Sequence, residues 1–353
     1  MDKSKAPVFV VGAPRSGTTL LYHTILSSGN FVVYPVESDV FNRIAPAFGD
    51  LHSLANRKRL VNTWLESDYF QRTALDPEEL RRQLLSECRT PGDFLRIVMD
   101  RMARMQGVER WAEKTPTHVL HIPEIKATIP DALVIHIIRD GRDVAVSMDR
   151  MGWAWGGSRF PWGREHGVLV AGIYWEWLVK TGRKYGRRLG KDYLEVHYED
   201  LVQDPKGTLR TLSAFIRHDL DYEYILRNAI GAVKAPNSSF GDLVDARAAG
   251  FIGRWKGVNC LEGVRLDELL GPVLREFGYQ SSGRATWNFT SLRLRAVYPG
   301  YHYLKQRLKQ SPLGRFFVCR DRLSRGALNL ALSKFEAFGV PSAIARDSEH
   351  VEK

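Results

Sequence analysis

Residues 8–19 read Val8-Phe9-Val10-Val11-Gly12-Ala13-Pro14-Arg15-Ser16-Gly17-Thr18-Thr19. The short apolar run at 8–11 predicts a buried β-strand, and the segment 18–28 predicts an α-helix. A strand, a glycine-bearing turn and a helix start together aim backbone N–H groups at an anion. We therefore expect residues 12–19 to bind a phosphate-like group, although an ordinary strand–helix turn also explains this fragment taken alone.

This turn departs from the Walker A pattern at one position. Gly12 and Gly17 fit the pattern G-x-x-x-x-G-K-[ST], but Thr18 stands where the lysine is required, and a cation comes earlier, as Arg15. That lysine contacts the β- and γ-phosphates in enzymes that bind nucleoside triphosphates. Its absence argues against a kinase-like phosphotransferase, which stays an alternative with Asp140 as its only candidate for holding Mg²⁺.

The rest of the chain alternates between predicted strands and helices. The segment 132–138 is almost continuously apolar, as in a central parallel strand covered on both faces. Other strands are predicted at 31–34, 110–113 and 193–198, and helices at 117–129, 142–151, 164–189, 205–216 and 266–277. This alternation predicts an α/β protein with a P-loop-type three-layer fold, in which helices flank a central parallel sheet.

Composition limits the cellular setting. Cys88, Cys260 and Cys319 are far apart and show no metal-ligand spacing, so we expect structural thiols in a reducing compartment and no metal. No apolar run approaches the roughly 18–20 residues that span a bilayer, and the first residues do not resemble a signal peptide. We expect a cytoplasmic protein, with peripheral membrane association left open.

The positive charge is concentrated near the C-terminus. The net charge of the chain is +11, and residues 284–327 hold ten Lys or Arg against the single acid Asp321. We therefore predict a main domain at 1–283 and a basic, helical extension at 284–353. Three interpretations of the extension stay open: helices docked on the core, an interfacial segment for an anionic membrane, or a surface for an anionic acceptor.

Two further motifs share their order and spacing with a known family. They are Glu113-Lys114-Thr115-Pro116 and the strand–turn–helix from Ile138 to Ser147, which contains Arg139-Asp140-Gly141. Together with residues 14–19, they make the chain resemble the sulfotransferases that use 3′-phosphoadenosine 5′-phosphosulfate (PAPS). It is most similar to the branch of glycosaminoglycan, tyrosylprotein and many bacterial sulfotransferases. The resemblance covers residues 6–277.

The resemblance implies how the donor PAPS is bound. The residues expected at its 5′-phosphosulfate are Arg15, Ser16, Gly17, Thr18 and Thr19. The resemblance assigns the 3′-phosphate to Arg139 and Ser147, and places Tyr198 of the Tyr-Glu-Asp-Leu element near the adenine. PAPS would leave as adenosine 3′,5′-bisphosphate (PAP).

A second cation for the 3′-phosphate is expected near a late Gly-x-Trp-Lys signature. That signature is Gly253-Arg254-Trp255-Lys256. Cytosolic members have Arg-Lys-Gly before it, whereas this chain has Ala248-Ala249-Gly250. Arg254 is therefore expected at the donor, with Arg247 and Lys256 as alternatives.

The resemblance also implies the catalytic groups. Lys114 is expected beside the sulfuryl group, assisted by Arg15. The expected base is Glu37, because the related branch carries a glutamate shortly after its second strand. The cytosolic branch uses a histidine base, but the matching position here is Pro116, which argues against a histidine mechanism. His118 lies two residues further along the chain and is therefore only the fallback base.

The predicted function is transfer of a sulfuryl group from PAPS to a hydroxyl or amine, in line and with a carboxylate base. The acceptor is open among carbohydrates, lipids and small molecules. The aromatic loop at 152–163 either lines the acceptor pocket or is a hydrophobic lid packed under the long following helix. A non-catalytic nucleotide-binding protein is a further alternative. No nucleic-acid partner is expected, since no such binding module is present.

Overall fold

The computed structural model of the protein describes residues 3–151, 167–234, 252–257 and 260–282, without the side chains of 260–263, together with residues 292, 295–297, 300 and 304. The aromatic loop at 152–163 and Arg247 lie outside these residues. The remainder of the site predicted from the motifs lies within them.

Four parallel strands form one sheet in the order β2-β1-β3-β4. They are β1 (Val8–Gly12), β2 (Ala112–Lys114), β3 (Leu133–Ile138) and β4 (Tyr193–His197). The register pairs Val10 with Lys114, Gly12 with Ile137, and Ile138 with His197. The carboxyl ends of all four strands therefore meet at one edge of the sheet.

Thirteen α-helices lie within the described ranges 3–151, 167–234 and 260–282. In chain order they are α1 (Thr18–Ser27), α2 (Ala45–Phe48), α3 (Leu54–Leu65), α4 (Asp68–Gln71), α5 (Pro77–Glu87), α6 (Pro91–Gln106), α7 (Ile122–Thr128), α8 (Gly141–Arg150), α9 (Gly167–Gly186), α10 (Tyr198–Gln203), α11 (Pro205–Ile216), α12 (Tyr222–Arg227) and α13 (Cys260–Glu276). There are also a π-helix at Val40–Ile44 and 3₁₀ helices at Pro116–Leu120, Arg187–Asp192 and Arg254–Gly257. Residues 292, 295–297, 300 and 304 of the extension are helical as well.

The two faces of the sheet carry separate apolar layers. In β1, Val8 and Val10 pack with α1, α11 and α12, whereas Phe9 and Val11 pack with residues of α6, α8, α9 and α13. All five residues of β1 and all six of β3 are buried. Burial on both faces explains why these strands read as continuous apolar runs, and it confirms the predicted three-layer α/β fold.

Two predicted elements differ from the structure. The strand expected at 31–34 is absent apart from one bridge between Phe31 and Arg110. The side chain of Gln106 instead satisfies the backbone of Val33, accepting from its N–H at 2.8 Å and donating to its carbonyl at 3.1 Å. The helix expected at 117–129 is split into the 3₁₀ helix at Pro116–Leu120 and α7. Pro123 lies in the first turn of α7 and has no backbone N–H to donate, so one continuous helix cannot run through it.

Part of the basic extension contacts the core. Arg295 donates to the carboxylate of Glu176 in α9 at 2.9 Å and to the Leu269 carbonyl in α13 at 2.6 Å. This contact favours docking of the extension on the core at Arg295. The domain boundary at residue 283 stays a prediction. Within the described part of the chain, no helix combines the length and apolar character needed to cross a membrane.

Candidate active site

Each strand ends at a residue or loop that the motifs singled out. The loop at 13–17 follows β1, Lys114 is the last residue of β2, Arg139 follows β3, and Tyr198 follows β4. Open α/β sheets bind ligands outside the carboxyl ends of their strands. The fold thus brings four motifs that are far apart in sequence to one edge.

The loop after β1 has an unusual backbone. Arg15 has φ 73°, a left-handed conformation that is uncommon for a residue with a side chain. Gly17 has φ 92°, and a Cβ atom there would lie 2.4 Å from the ring of Tyr198. The conformation directs the chain into α1 at Thr18, where the first N–H groups of the helix have no intrahelical partner.

A buried hydroxyl lies in the same loop. The Oγ atom of Ser16 is buried and has no hydrogen-bond partner among the described residues, and a buried polar atom left unpaired costs free energy. A ligand anion at this loop would supply the acceptor that Ser16 lacks.

Two side-chain contacts join the loop after β1 to the element after β3. Arg15 Nε donates to Ser147 Oγ in α8 at 3.1 Å. Arg139 Nη1 donates to the carbonyl of Arg15 at 3.1 Å. The residues expected at the two ends of the donor are therefore neighbours.

The turn at Arg139 is fixed from several sides. Trp175 Nε1 in α9 donates to the Arg139 carbonyl at 3.1 Å, and the Asp140 N–H donates to Glu199 Oε1 at 3.0 Å. The guanidinium of Arg139 lies 4.6 Å from the centre of the Tyr198 ring, close enough for a cation–π interaction. Helices on both sides of the sheet thus hold one arginine in place.

Positive charges crowd together here. Burial, and then the charge of Arg139, lowers the pKa of Arg15. Burial and the charges of Arg139 and Arg150 likewise lower the pKa of Arg254. Guanidinium groups that disfavour one another's charge are suited to a ligand with several negative charges.

Lys114 and Glu37 form an ion pair at the same edge. Lys114 Nζ lies 2.9 Å from Glu37 Oε1, with the Lys114 side chain 12% exposed and that of Glu37 43% exposed. The segment that carries Glu37 has no regular structure of its own. The structure therefore brings together the two residues expected to act on the sulfuryl group and the acceptor.

Glu113 connects this segment to β2. Its Oε1 accepts from Ser38 Oγ at 2.7 Å and from Thr115 Oγ1 at 2.5 Å, and its Oε2 is 2.9 Å from His118 Nδ1. Burial opposes ionisation of Glu113, but the His118 ring and these hydrogen bonds outweigh it and lower the pKa of the carboxyl. A buried carboxylate thus fixes the residues on either side of the Lys114–Glu37 pair.

The ring of His118, the fallback base predicted from the sequence, lies inside the core. Its side chain is fully buried, Nδ1 pairs with Glu113, and Nε2 accepts the Phe41 N–H at 3.4 Å. Both ring nitrogens are engaged inside the core, so the fallback role predicted for His118 has no support in this geometry.

Sequence reasoning missed the supporting residues of the site, namely Asp143, Glu113 and Trp175. Asp143 bonds to the backbone beside Arg254. A signal was present for Glu113 and Asp143, since acids adjoin both Lys114 and Arg142 in the motifs. Nothing in the sequence indicated their distant partners.

A comparison with known families identifies the chain. A model described as the sulfotransferase family matches residues 7–223. The chain belongs to this family. The matched residues include the loop after β1, Lys114, the Arg139 turn and Tyr198, so the resemblance inferred from the motifs is confirmed.

One curated protein shares limited sequence identity with this chain. An uncharacterized protein of Aquifex aeolicus (strain VF5) is 27% identical over 222 residues, which cover 60% of this chain and 25% of that protein. The chain thus spans about a quarter of the length of that curated relative.

Two solved structures show the same sulfotransferase fold. The sulfotransferase domain of the Synechococcus PCC 7002 olefin synthase matches with a TM-score of 0.50 and 21% identity, covering 78% of this chain and 95% of that one. The sulfotransferase domain from the curacin biosynthetic pathway matches with a TM-score of 0.51 and 17% identity, covering 78% and 98%.

Proposed function

We propose that this sulfotransferase moves a sulfuryl group from PAPS to a hydroxyl or amine of an acceptor, by in-line transfer with Glu37 as the base. One observation carries the proposal: Arg15 contacts both Ser147 and, through its carbonyl, Arg139. Two arginine-bearing loops held side by side suit a ligand with two anionic groups, and PAPS has such groups at its 5′ and 3′ positions.

The loop after β1 suits the 5′-phosphosulfate. The N-terminus of α1 and the guanidinium of Arg15 offer N–H donors and positive charge, and the Ser16 hydroxyl is buried there. Gly17, Thr18 and Thr19 form the turn and the helix start that would place these donors.

The other arginines suit the 3′-phosphate. Arg139 and Ser147 would contact it, and Arg254 would complete the site, because its charge interacts with that of Arg139. The ring of Tyr198, next to Arg139, would pack near the adenine.

The transfer itself resembles phosphoryl transfer. The acceptor oxygen or nitrogen forms a bond to sulfur while the bond from sulfur to the bridging phosphate oxygen breaks, and negative charge builds on that leaving oxygen. Lys114 and Arg15 would stabilise this charge. Glu37 would take the proton of the acceptor, and its ion pair with Lys114, the residue expected beside the sulfuryl group, supports this role.

The acceptor is proposed only as a class: a carbohydrate, lipid or small molecule with a free hydroxyl or amine. The half-exposed side chain of Glu37 leaves the base open to such a molecule. Association with an anionic membrane through the extension is a separate proposal, supported by the basic residues at 284–327.

The direct test supplies isotopically labelled PAPS to the purified protein and a cell extract, and identifies labelled products by mass spectrometry. We expect a sulfated product that depends on the wild-type protein and is lost with Lys114→Ala. Transfer of phosphate from ATP–Mg²⁺, with no use of PAPS, would contradict the proposal.

A further inference from the structure

Asp143 is a buried carboxylate for which the motifs predicted no role. It lies in the first turn of α8, and 2% of the residue is exposed. Its Oδ2 accepts from the Gly253 N–H at 2.8 Å, and its Oδ1 accepts from the Trp255 N–H at 3.0 Å. One carboxylate therefore holds the two backbone amides on either side of Arg254.

The same carboxylate also faces the arginine after β3. Asp143 Oδ2 lies 3.7 Å from Arg139 Nη2. Asp143 thus contacts the side chain of one arginine and the backbone around another. Charged acceptors make stronger hydrogen bonds to backbone N–H groups than neutral ones, so this link is suited to fixing the relative position of Arg139 and Arg254.

A second contact, made by Arg142, also holds the turn at 253–255. The Arg142 guanidinium lies 3.9 Å from the centre of the Trp255 ring. Arg142 is itself held by the carboxylates of Asp140 and Asp267, each at 2.6 Å. The Trp255 ring is therefore packed on a fixed cation while Asp143 bonds to the backbone.

We propose that Asp143 is a positioning residue for the donor, a role that rests on the proposed function. It fixes the turn at 253–255 so that Arg254 joins Arg139 at the 3′-phosphate before the donor arrives. Ordering a loose arginine-bearing turn during binding would cost affinity, and the two hydrogen bonds to Asp143 remove that cost in advance.

The test measures the affinities of PAP and of adenosine 5′-monophosphate by calorimetry. PAP carries the 3′-phosphate and adenosine 5′-monophosphate does not. We expect Asp143→Ala to weaken PAP binding about tenfold or more, the cost of charge-assisted hydrogen bonds, and to change binding of the monophosphate little. Asp143→Asn keeps one acceptor oxygen and should fall between Asp143→Ala and the wild type.

A double-mutant cycle separates positioning from general damage. Because Asp143 acts through Arg254, its replacement by alanine should weaken PAP binding much less in an Arg254→Ala background than in the wild type. Asp204→Ala is the matched control, since Asp204 also accepts a backbone N–H, from Gly207 at 2.9 Å, but at the N-terminus of α11. This control should bind PAP as the wild type does.

Amide hydrogen exchange gives a readout that needs no ligand. The amides of Gly253 and Trp255 should exchange faster in Asp143→Asn than in the wild type. If the alanine variant folds poorly, the asparagine variant replaces it in the binding measurements. Unchanged exchange, an unchanged PAP affinity in both Asp143 variants, or an equal loss for both nucleotides would overturn the role of Asp143 alone. A wild-type protein that does not prefer PAP to the monophosphate would instead overturn the proposed function, and this role with it.

Discussion

Arg15 and Ser147 are joined by a 3.1 Å hydrogen bond although 132 positions separate them in the chain. The bond connects the loop after β1 to α8, which follows β3. It therefore lies between the residues proposed for the 5′-phosphosulfate and those proposed for the 3′-phosphate. We expect these neighbours to act together on one donor.

The first prediction concerns donor affinity. Arg139→Ala removes a guanidinium proposed to contact the 3′-phosphate and should weaken PAP binding about tenfold to a hundredfold, as expected for hydrogen bonds to a charged group. Ser147→Ala removes only a hydroxyl, so its effect should be smaller. Calorimetry gives both dissociation constants.

Arg101→Ala is the control for this prediction, because Arg101 pairs with Glu79 between α5 and α6, outside the proposed site. It should leave PAP binding unchanged. A normal dissociation constant for PAP in Arg139→Ala would remove Arg139 from the donor site.

The second prediction concerns turnover. Glu37→Gln keeps the shape of the side chain and an oxygen that can accept from Lys114, but it cannot take a proton. It should lower kcat about a hundredfold or more, within the range of general-base catalysis, with donor affinity nearly kept. Steady-state kinetics of sulfate transfer measures both quantities.

The matched control is Glu109→Gln, since Glu109 forms an exposed ion pair with Lys5 at 3.3 Å. It should have wild-type kinetics. Lys114→Ala and Arg15→Ala should each remove most of the turnover. An unchanged kcat in Glu37→Gln would show that another group takes the proton.

The third prediction concerns the loop backbone. Gly17→Ala should destabilise the protein and abolish tight PAP binding, because the new Cβ meets the Tyr198 ring at 2.4 Å in addition to the strain of φ 92°. Gly107→Ala is the control: Gly107 also has a positive φ, 67°, but no atom lies within 4 Å of its Cβ position.

Left-handed strain alone costs about 1 kcal/mol or more, so the melting temperature should fall in both variants, and further in Gly17→Ala. PAP binding should be lost only in Gly17→Ala. Equal melting temperatures and equal PAP affinities in the two variants would contradict the close packing of the loop on Tyr198.

The fourth prediction concerns acid sensitivity. Burial lowers the pKa of His23 to about 4, with help from the charge of Lys114, and burial likewise lowers the pKa of His136 to about 4. Both rings are then neutral when folded, whereas an unfolded histidine titrates near its ordinary pKa of about 6.5. Below about pH 6.5, each of these histidines therefore binds a proton when the protein unfolds.

The free energy of unfolding should therefore fall as the pH drops from about 6.5 towards 4, by about 2 kcal/mol per histidine at pH 5. Melting temperatures between pH 7.5 and 5 measure this slope. His136→Gln should flatten it, and the exposed His52→Gln should not. Equal slopes for the wild type and His136→Gln would contradict the burial of a neutral His136.

The sequence sufficed for the parts of the fold that depend on local pattern. β1 and β3 are buried on both faces, so their apolar runs identified them. The run at 31–34 is also apolar but forms no strand, because a side chain, Gln106, satisfies the Val33 backbone in place of a neighbouring strand. Composition does not distinguish these two ways of burying a peptide group.

The residues of the candidate site also fall into those that a local motif predicts and those that depend on distant partners. Arg15, Lys114 and Arg139 could be predicted because each lies at or just after the end of a strand within a compact motif. The roles of Asp143 and Glu113 could not, because Asp143 bonds to Gly253, 110 positions away, and Glu113 bonds to Ser38, 75 positions away. Such partners are set by tertiary packing.

The measurement that tests the central claim most directly is a calorimetric comparison of PAP and ATP–Mg²⁺ on the wild type, Arg15→Ala and Arg139→Ala. We predict that the wild type binds PAP far more tightly than ATP–Mg²⁺, and that each variant loses most of this preference. Tighter binding of ATP–Mg²⁺, or PAP binding that neither substitution weakens, would contradict a donor site shared by the two loops.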